Sequence, residues 1–204
     1  MSSDDVMQLA AAGAQPSRPA PELDSELCAQ IDAAVSGDVG AAHALVLRVL
    51  PRVRNTIRYL IRGDEVDDFT QDVLVTLLER LQSFRGDGRF EAWVDGITLR
   101  VTLRRLSKLR ADVRRFRGSA LENLETHGSA SQSPSYLARR RAVLALDQLP
   151  DTQRHALVMH HVLGMTVAEI ARELDTPRET IRTRLRVAMG QLRVLLGALR
   201  EESA

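Results

Sequence analysis

The chain has 204 residues, 44% of them apolar but only 3% aromatic, and its 28 basic and 27 acidic side chains nearly cancel. That length suits one or two small domains, and apolar residues dominated by Leu, Val and Ala at spacings of three and four point to an all-α protein. The single cysteine, Cys28, excludes an internal disulfide and a multi-cysteine zinc site, and no apolar run approaches bilayer length; a cytoplasmic chain with no metal and no membrane insertion is expected.

The net charge of +1 hides a segregation. Residues 1–36 carry one basic and six acidic side chains, residues 37–118 sixteen and eleven, residues 119–138 none and two, and residues 139–204 eleven and eight. Two basic modules are thus joined to an acidic tail and a mildly acidic connector. From Leu99 to Arg117 eight basic residues face one acid, Asp112, an electrostatic footprint for a polyanion, although a solvated or membrane-surface helix has the same composition.

In chain order, residues 1–23 are rich in Ala, Ser, Pro and Gln and have little to bury, so a disordered tail is expected. Helices are expected at 24–36, 40–62, 66–83 and 90–115, packing as a first four-helix domain over 24–117. Asp64 is the expected N-cap of the third, which closes before the turn Arg85-Gly86-Asp87-Gly88. Within it, Val66, Phe69, Val73, Leu77 and Leu81 share one face and Asp68, Gln71, Asp72, Val75 and Glu79 another. Taken alone, that polar stripe is better explained by a solvated face than by a docking surface, because surface carboxylates are common and usually idle.

Residues 118–135 are polar, Ser- and Gly-rich and without helical periodicity, which predicts a flexible linker of roughly 23 Å average span and roughly 60 Å at full stretch. Base pairs rise about 3.4 Å each, so one chain could hold two separated sites on a duplex. Helices at 136–149, 151–163, 166–174 and 177–199 form a second domain over 136–199, followed by a short tail at 200–204.

The second domain carries the sharpest local signal. Thr166 with Glu169, then Thr176 with Glu179, are two capping boxes opening consecutive helices about three residues apart, and Pro177 occupies the first helical position of the second. Val167, Ile170, Ala171 and Leu174 form the apolar face of the first helix; Ile181, Leu185, Ala188, Leu192 and Leu195 or Leu196 form that of the second. Arg178, Thr180, Arg182, Thr183, Arg184 and Arg186 are left to other faces. A short turn between capped helices, the second rich in arginines that can bond guanine edges or phosphates, is the layout of a DNA-reading helix-turn-helix.

Longer runs then resemble a known family. Asp68-Phe69-Thr70-Gln71-Asp72-Val73-Leu74 is similar to the Asp-Leu-x-Gln-Glu-x-Phe run of bacterial RNA polymerase sigma factors, and Phe90-Glu91-Ala92-Trp93-Val94-Asp95-Gly96-Ile97 follows at the family's distance as its Phe-x-x-Trp-Leu-x-x-Ile. Leu146 to Arg154, Gly164 to Ala171 and Thr180 to Leu185 resemble the family's Leu-Pro-x-x-x-Arg stretch and promoter-reading helix-turn-helix. The match spans roughly 40–115 and 139–196; with these two modules alone the chain looks like the extracytoplasmic-function (ECF) type of the sigma-70 family.

The resemblance implies domains like sigma regions 2 and 4. It implies that Asp68, Gln71 and Asp72 dock on core RNA polymerase. Arg100, Arg104, Arg105 and Lys108 would hold the minus-ten strand, and Arg178, Thr180, Arg182, Thr183, Arg184 and Arg186 would read the minus-thirty-five element of promoter DNA. It also suggests an anti-sigma factor as a partner, and association with the nucleoid when bound to polymerase. After Ile97 the family usually continues Ala-Arg-Asn, where this chain has Thr98-Leu99-Arg100, so Arg100 stands in place of a polar residue associated with base capture. The turn Leu174-Asp175-Thr176 has Asp where glycine is common.

Other residues point away from chemistry. His160 and His161 are helix neighbours about 100° apart with no third ligand nearby, and Cys28 has no basic neighbour to activate it. Trp93 is expected to pack in the first domain, with base stacking as the minority reading. Neither a Gly-rich phosphate loop nor a spaced nucleophile–base set occurs, so no catalytic residue, no cofactor and no enzymatic activity are expected. The rival reading is a stand-alone helix-turn-helix regulator whose first domain binds a ligand or dimerises.

Overall fold

The computed structural model describes residues 25–86, 88–115 and 134–201. The expected tail at 1–23, the linker up to residue 133 and residues 202–204 lie outside the described residues. Those described form eight α-helices and one short 3-10 turn, without strands, and fall into two compact units, 25–115 and 134–201.

The first unit contains α1 (Ser25–Val35), α2 (Val39–Leu60), α3 (Val66–Arg80) with a 3-10 turn at Leu81–Ser83, and α4 (Phe90–Arg115). Helix α2 is its centre and packs on α1, α3 and α4. The α1–α2 corner is built from local chemistry. Gly37 takes the left-handed conformation at φ 97°, the N–H groups of Gly37 and Asp38 return to the carbonyls of Ala34 and Ala33 at 3.1 and 3.0 Å, and the Asp38 carboxylate accepts from Ala41 N–H at 3.0 Å to open α2. The chain then runs through Pro51 without leaving the helix.

The expected apolar face of α3 is the buried one: Val66, Phe69, Val73, Leu77 and Leu81 all lie in the core with Leu45, Val49, Val53 and Ile57 of α2 and Phe90, Val94, Ile97 and Leu99 of α4. Asp64 is not the cap of α3. Glu65 occupies that position and makes no side-chain cap bond, because Asp64 lies one residue too early and the longer Glu side chain does not turn back onto the first amides.

The second unit contains α5 (Pro134–Asp147), α6 (Asp151–His161), α7 (Val167–Glu173) and α8 (Arg178–Glu201), with α8 packing against the other three. Pro134 and Ser135, expected at the end of the linker, instead begin α5; proline is accepted there because the first amides of a helix have no intrahelical partner. Ala145, Leu146, Leu149, Ala156 to Met159, Ile170, Ile181, Ala188 and Leu192 make the core. No described helix is long and apolar enough to cross a membrane.

Candidate nucleic-acid interface

The helix-turn-helix of the second unit rests on one capping box and one left-handed residue. Thr166 Oγ1 accepts from Glu169 N–H at 3.3 Å, while the Glu169 carboxylate accepts from Thr166 N–H at 2.7 Å. The bonds that the carboxylate accepts from the Thr166 N–H and, at 2.8 Å, from the Thr166 hydroxyl hold the Glu169 carboxyl below the usual glutamate range. Helix α7 then ends with Asp175 at φ 45°, Asp175 N–H donating to Arg172 and Thr176 N–H to the Ala171 carbonyl at 2.9 Å. This is the paired-amide closure a glycine usually makes; Asp is among the few side chains that tolerate that backbone.

The second expected capping box does not form. The Thr176 hydroxyl donates to the Leu174 carbonyl at 3.0 Å, and the Glu179 carboxylate turns forward to Arg182 Nη1 at 2.9 Å. Pro177 sits one position earlier than expected, at the cap: its carbonyl accepts from Ile181 N–H at 3.1 Å, and α8 begins at Arg178. The orphaned amides of the first turn at α8 are therefore not claimed by the Thr176 side chain.

Of the residues expected to read DNA, Arg178, Thr180, Arg182, Thr183 and Arg186 are exposed on α8, and Arg184 is half-buried. Thr180, Thr183 and Arg184 line a shallow groove with Glu179, Val187 and Gln153 of α6. The Arg182–Glu179 pair leaves 64% of the Arg182 side chain exposed, and an exposed pair of that kind contributes about 0–1 kcal/mol, too little to hold Arg182 from a better partner. Behind α8, the wholly buried Arg154 joins α6 to the end of α5 through Asp147 at 2.7 Å. His160 Nδ1 bonds the Met165 carbonyl at 2.8 Å and its ring meets that of His161 edge-on, so His160 ties down the loop into α7. Burial and the neighbouring His160 lower the His161 imidazole below its ordinary range.

On the first unit, Asp68, Gln71, Asp72, Val75 and Glu79 all lie exposed on α3. Leu78 is also exposed at 39% beside Val75 at 50%, giving the stripe an apolar margin. Helix α4 exposes Arg100, Arg104 and Lys108. The Arg100 guanidinium folds back over Gly96, lying 3.4 Å from the point a β-carbon would occupy there. Thr98, by contrast, is buried and bonds the Val94 carbonyl at 2.9 Å.

Arg105 is placed differently from its neighbours. Its Nη1 meets the Asp72 carboxylate at 2.5 Å, and its guanidinium lies 4.3 Å above the Phe69 ring. A cation over a ring adds about 0.5–1 kcal/mol to the similarly small worth of a part-exposed pair. The structure therefore brings one expected docking residue and one expected strand-binding residue into contact.

Three features were not read from sequence. Arg52 grips Asp95 with two bonds of 2.7 and 2.6 Å, clamping α2 to α4. Phe84, Phe90 and Trp93 form an aromatic cluster with ring centres 5.3 to 5.7 Å apart. Beside it a shallow hollow is lined by Phe84, Arg85, Gly88, Arg89, Ala92 and Trp93. The turn at Arg85 to Gly88 signalled only a break, yet its arginine and Arg89 flank that hollow. Among the described residues no group of three His, Cys, Asp or Glu side chains is placed to hold a metal.

Comparison with known proteins agrees with this division. Residues 45–111 match Sigma-70 region 2 and residues 139–192 match Sigma-70, region 4. The ECF RNA polymerase sigma-E factor of Escherichia coli is 27% identical over 161 residues, 73% of this chain and 83% of that protein. The ECF RNA polymerase sigma factor SigM of Mycobacterium tuberculosis is 29% identical over 178 residues, 86% of each chain. Among solved structures, the sigma factor RpoE of Bartonella quintana, crystallised with the anti-sigma factor NepR, shares the fold at a TM-score of 0.57 and 23% identity, covering 76% of this chain and 96% of its own. CnrH, solved with the cytosolic domain of CnrY, superimposes at a TM-score of 0.50 with 25% identity over 86% of this chain and 99% of its own.

Proposed function

Because the chain belongs to the sigma-70 family of RNA polymerase sigma factors, in its ECF type, we propose that it directs core polymerase to promoters by dividing the work between its two units. The first docks on polymerase through Asp68, Gln71 and Asp72 and holds the minus-ten strand along α4; the second reads the minus-thirty-five element with α8. It performs no chemistry of its own and acts in the cytoplasm, on the nucleoid. Core polymerase and promoter DNA are its partners, and an anti-sigma factor is the restraining partner class that family membership brings.

The observation that best supports this division is the contrast between two faces of one unit: α3 presents carboxylates while α4 presents Arg100, Arg104 and Lys108. An acidic stripe repels nucleic acid and suits a basic protein surface, whereas a basic helix tracks phosphates. The hollow between Arg85, Arg89 and Trp93 adds an aromatic floor with cationic walls, a setting that favours unstacked bases over paired ones and so favours melting. On α8, arginines and threonines beside a groove supply bidentate and single bonds to base edges.

The reading is tested by adding the chain to core polymerase on sheared genomic DNA from its source and mapping transcript starts. New starts sharing two spaced elements are expected. Variants Arg182→Ala and Arg104→Ala should lose them for different reasons, the first in proportion to the upstream element and the second at all starts. Starts identical to those of core polymerase alone would move the chain to the class of free-standing regulators.

A further inference from the structure

Arg105 lies on the basic helix between Arg104 and Lys108, both exposed, yet is itself turned aside onto α3. Its partner Asp72 keeps 51% of its side chain exposed, so another molecule can reach the same carboxylate. The guanidinium's remaining contact, the Phe69 ring, holds it in place without neutralising it. We infer that Arg105 is a strand-binding residue held in reserve: Asp72 keeps it off nucleic acid until a basic surface of core polymerase takes that carboxylate and releases it. The inference rests on the docking and strand-binding roles proposed above and couples them through a single ion pair.

The physical grounds are competition and reciprocity. A docking cation that shares the Asp72 carboxylate weakens its hold on Arg105, and the freed fork then finds phosphates already tracked by Arg104 and Lys108. By linkage, whatever factor docking adds to strand affinity, strand binding returns to docking. The free protein would thus hold single strands with one cation fewer than the polymerase-bound protein does, which limits idle binding before polymerase is engaged.

The test is a salt titration of a labelled oligo-dT strand against the full chain, free and bound to core polymerase. One phosphate contact changes the log–log salt slope by about 0.7 for a single strand. In the free chain, Arg105→Met should leave the slope unchanged. Asp72→Asn should raise it by that amount, and Asp68→Asn, which removes the same charge one turn away, should not. Bound to polymerase, the parent should exceed Arg105→Met by one contact. A slope that falls in free Arg105→Met, or Asp72→Asn and Asp68→Asn behaving alike, overturns the reserve. If Arg105→Met fails to fold, the Asp72→Asn and Asp68→Asn comparison still decides, because it leaves Arg105 intact. A parent that never binds core polymerase contradicts the docking role instead, and the free-chain comparison then judges the lock by itself.

Discussion

Arg154 reaches from the first turn of α6 to Asp147 at the end of α5 with its guanidinium wholly enclosed, Nη2 lying 2.7 Å from the carboxylate. The two residues straddle the Leu149-Pro150 corner, so the pair sets the angle at which α6 supports α8. Removing Arg154 leaves a void in the core and strips Asp147, itself 32% exposed, of its enclosed partner. Arg154→Ala should therefore lower the stability of the second unit by about 3 kcal/mol, read by chemical denaturation of the full chain with a probe in that unit. A loss within the scatter of surface substitutions would show the pair to be incidental.

Asp175 occupies a left-handed backbone at φ 45° and pairs its amide with Arg172. Glycine adopts that conformation without steric cost, so Asp175→Gly should stabilise the second unit by up to about 1 kcal/mol, while Asp175→Val should destabilise it by more than that. Thermal unfolding of the three proteins ranks them. Equal midpoints would mean that the turn relaxes away from the observed backbone.

Acid should loosen the second unit in two stages. His161 is lowered by burial, so its folded form resists protonation; that contribution is present above the ordinary imidazole range and is lost as pH falls through it. Glu169 is lowered by its bonds from Thr166, so the stability it brings is present above the ordinary glutamate range and fades only as pH falls below it. His161→Gln should remove the first stage and Thr166→Ala the second, the latter also costing about 1 kcal/mol at neutral pH. Stability measured against pH that is unchanged by either variant would contradict these causes.

Much of the fold was legible because local rules carried it. The buried face of α3, its exposed acidic stripe, the Thr166–Glu169 box and the helical registers of α4 and α8 all depend on residues within a turn or two of each other, where spacing is informative. The Thr176–Glu179 box had the same spacing and did not form, since Glu179 found Arg182 one turn on. What sequence could not show were pairings across helices. Arg52 and Asp95 are 43 residues apart and Arg105 and Asp72 33 apart; only the packing of α2, α3 and α4 brings them together. The same holds for Phe84, which meets Trp93 only because the chain turns back at Arg85.

Arg182 and Arg104 should separate recognition from holding. Arg182 is tied only to Glu179 through an exposed pair, so it is available to a base edge, and Arg182→Ala should cost about 1–3 kcal/mol at one or two base pairs. Arg104 is exposed on the basic α4, and Arg104→Ala should weaken binding nearly evenly across sequences and lower the salt dependence. Competition binding on promoter variants with single base changes distinguishes the two; matching, sequence-independent losses would remove α8 from the reading role.

The central claim, that α3 docks this chain on polymerase, is tested by titrating core RNA polymerase against the purified chain and against an Asp68→Arg, Gln71→Arg variant. Both positions are exposed and neither is a member of the Asp72–Arg105 pair. Tight binding by the parent, lost by at least tenfold in a variant that retains its helical content, is the expected result. A folded parent that does not bind core polymerase, or a variant that binds as well as the parent, would contradict it.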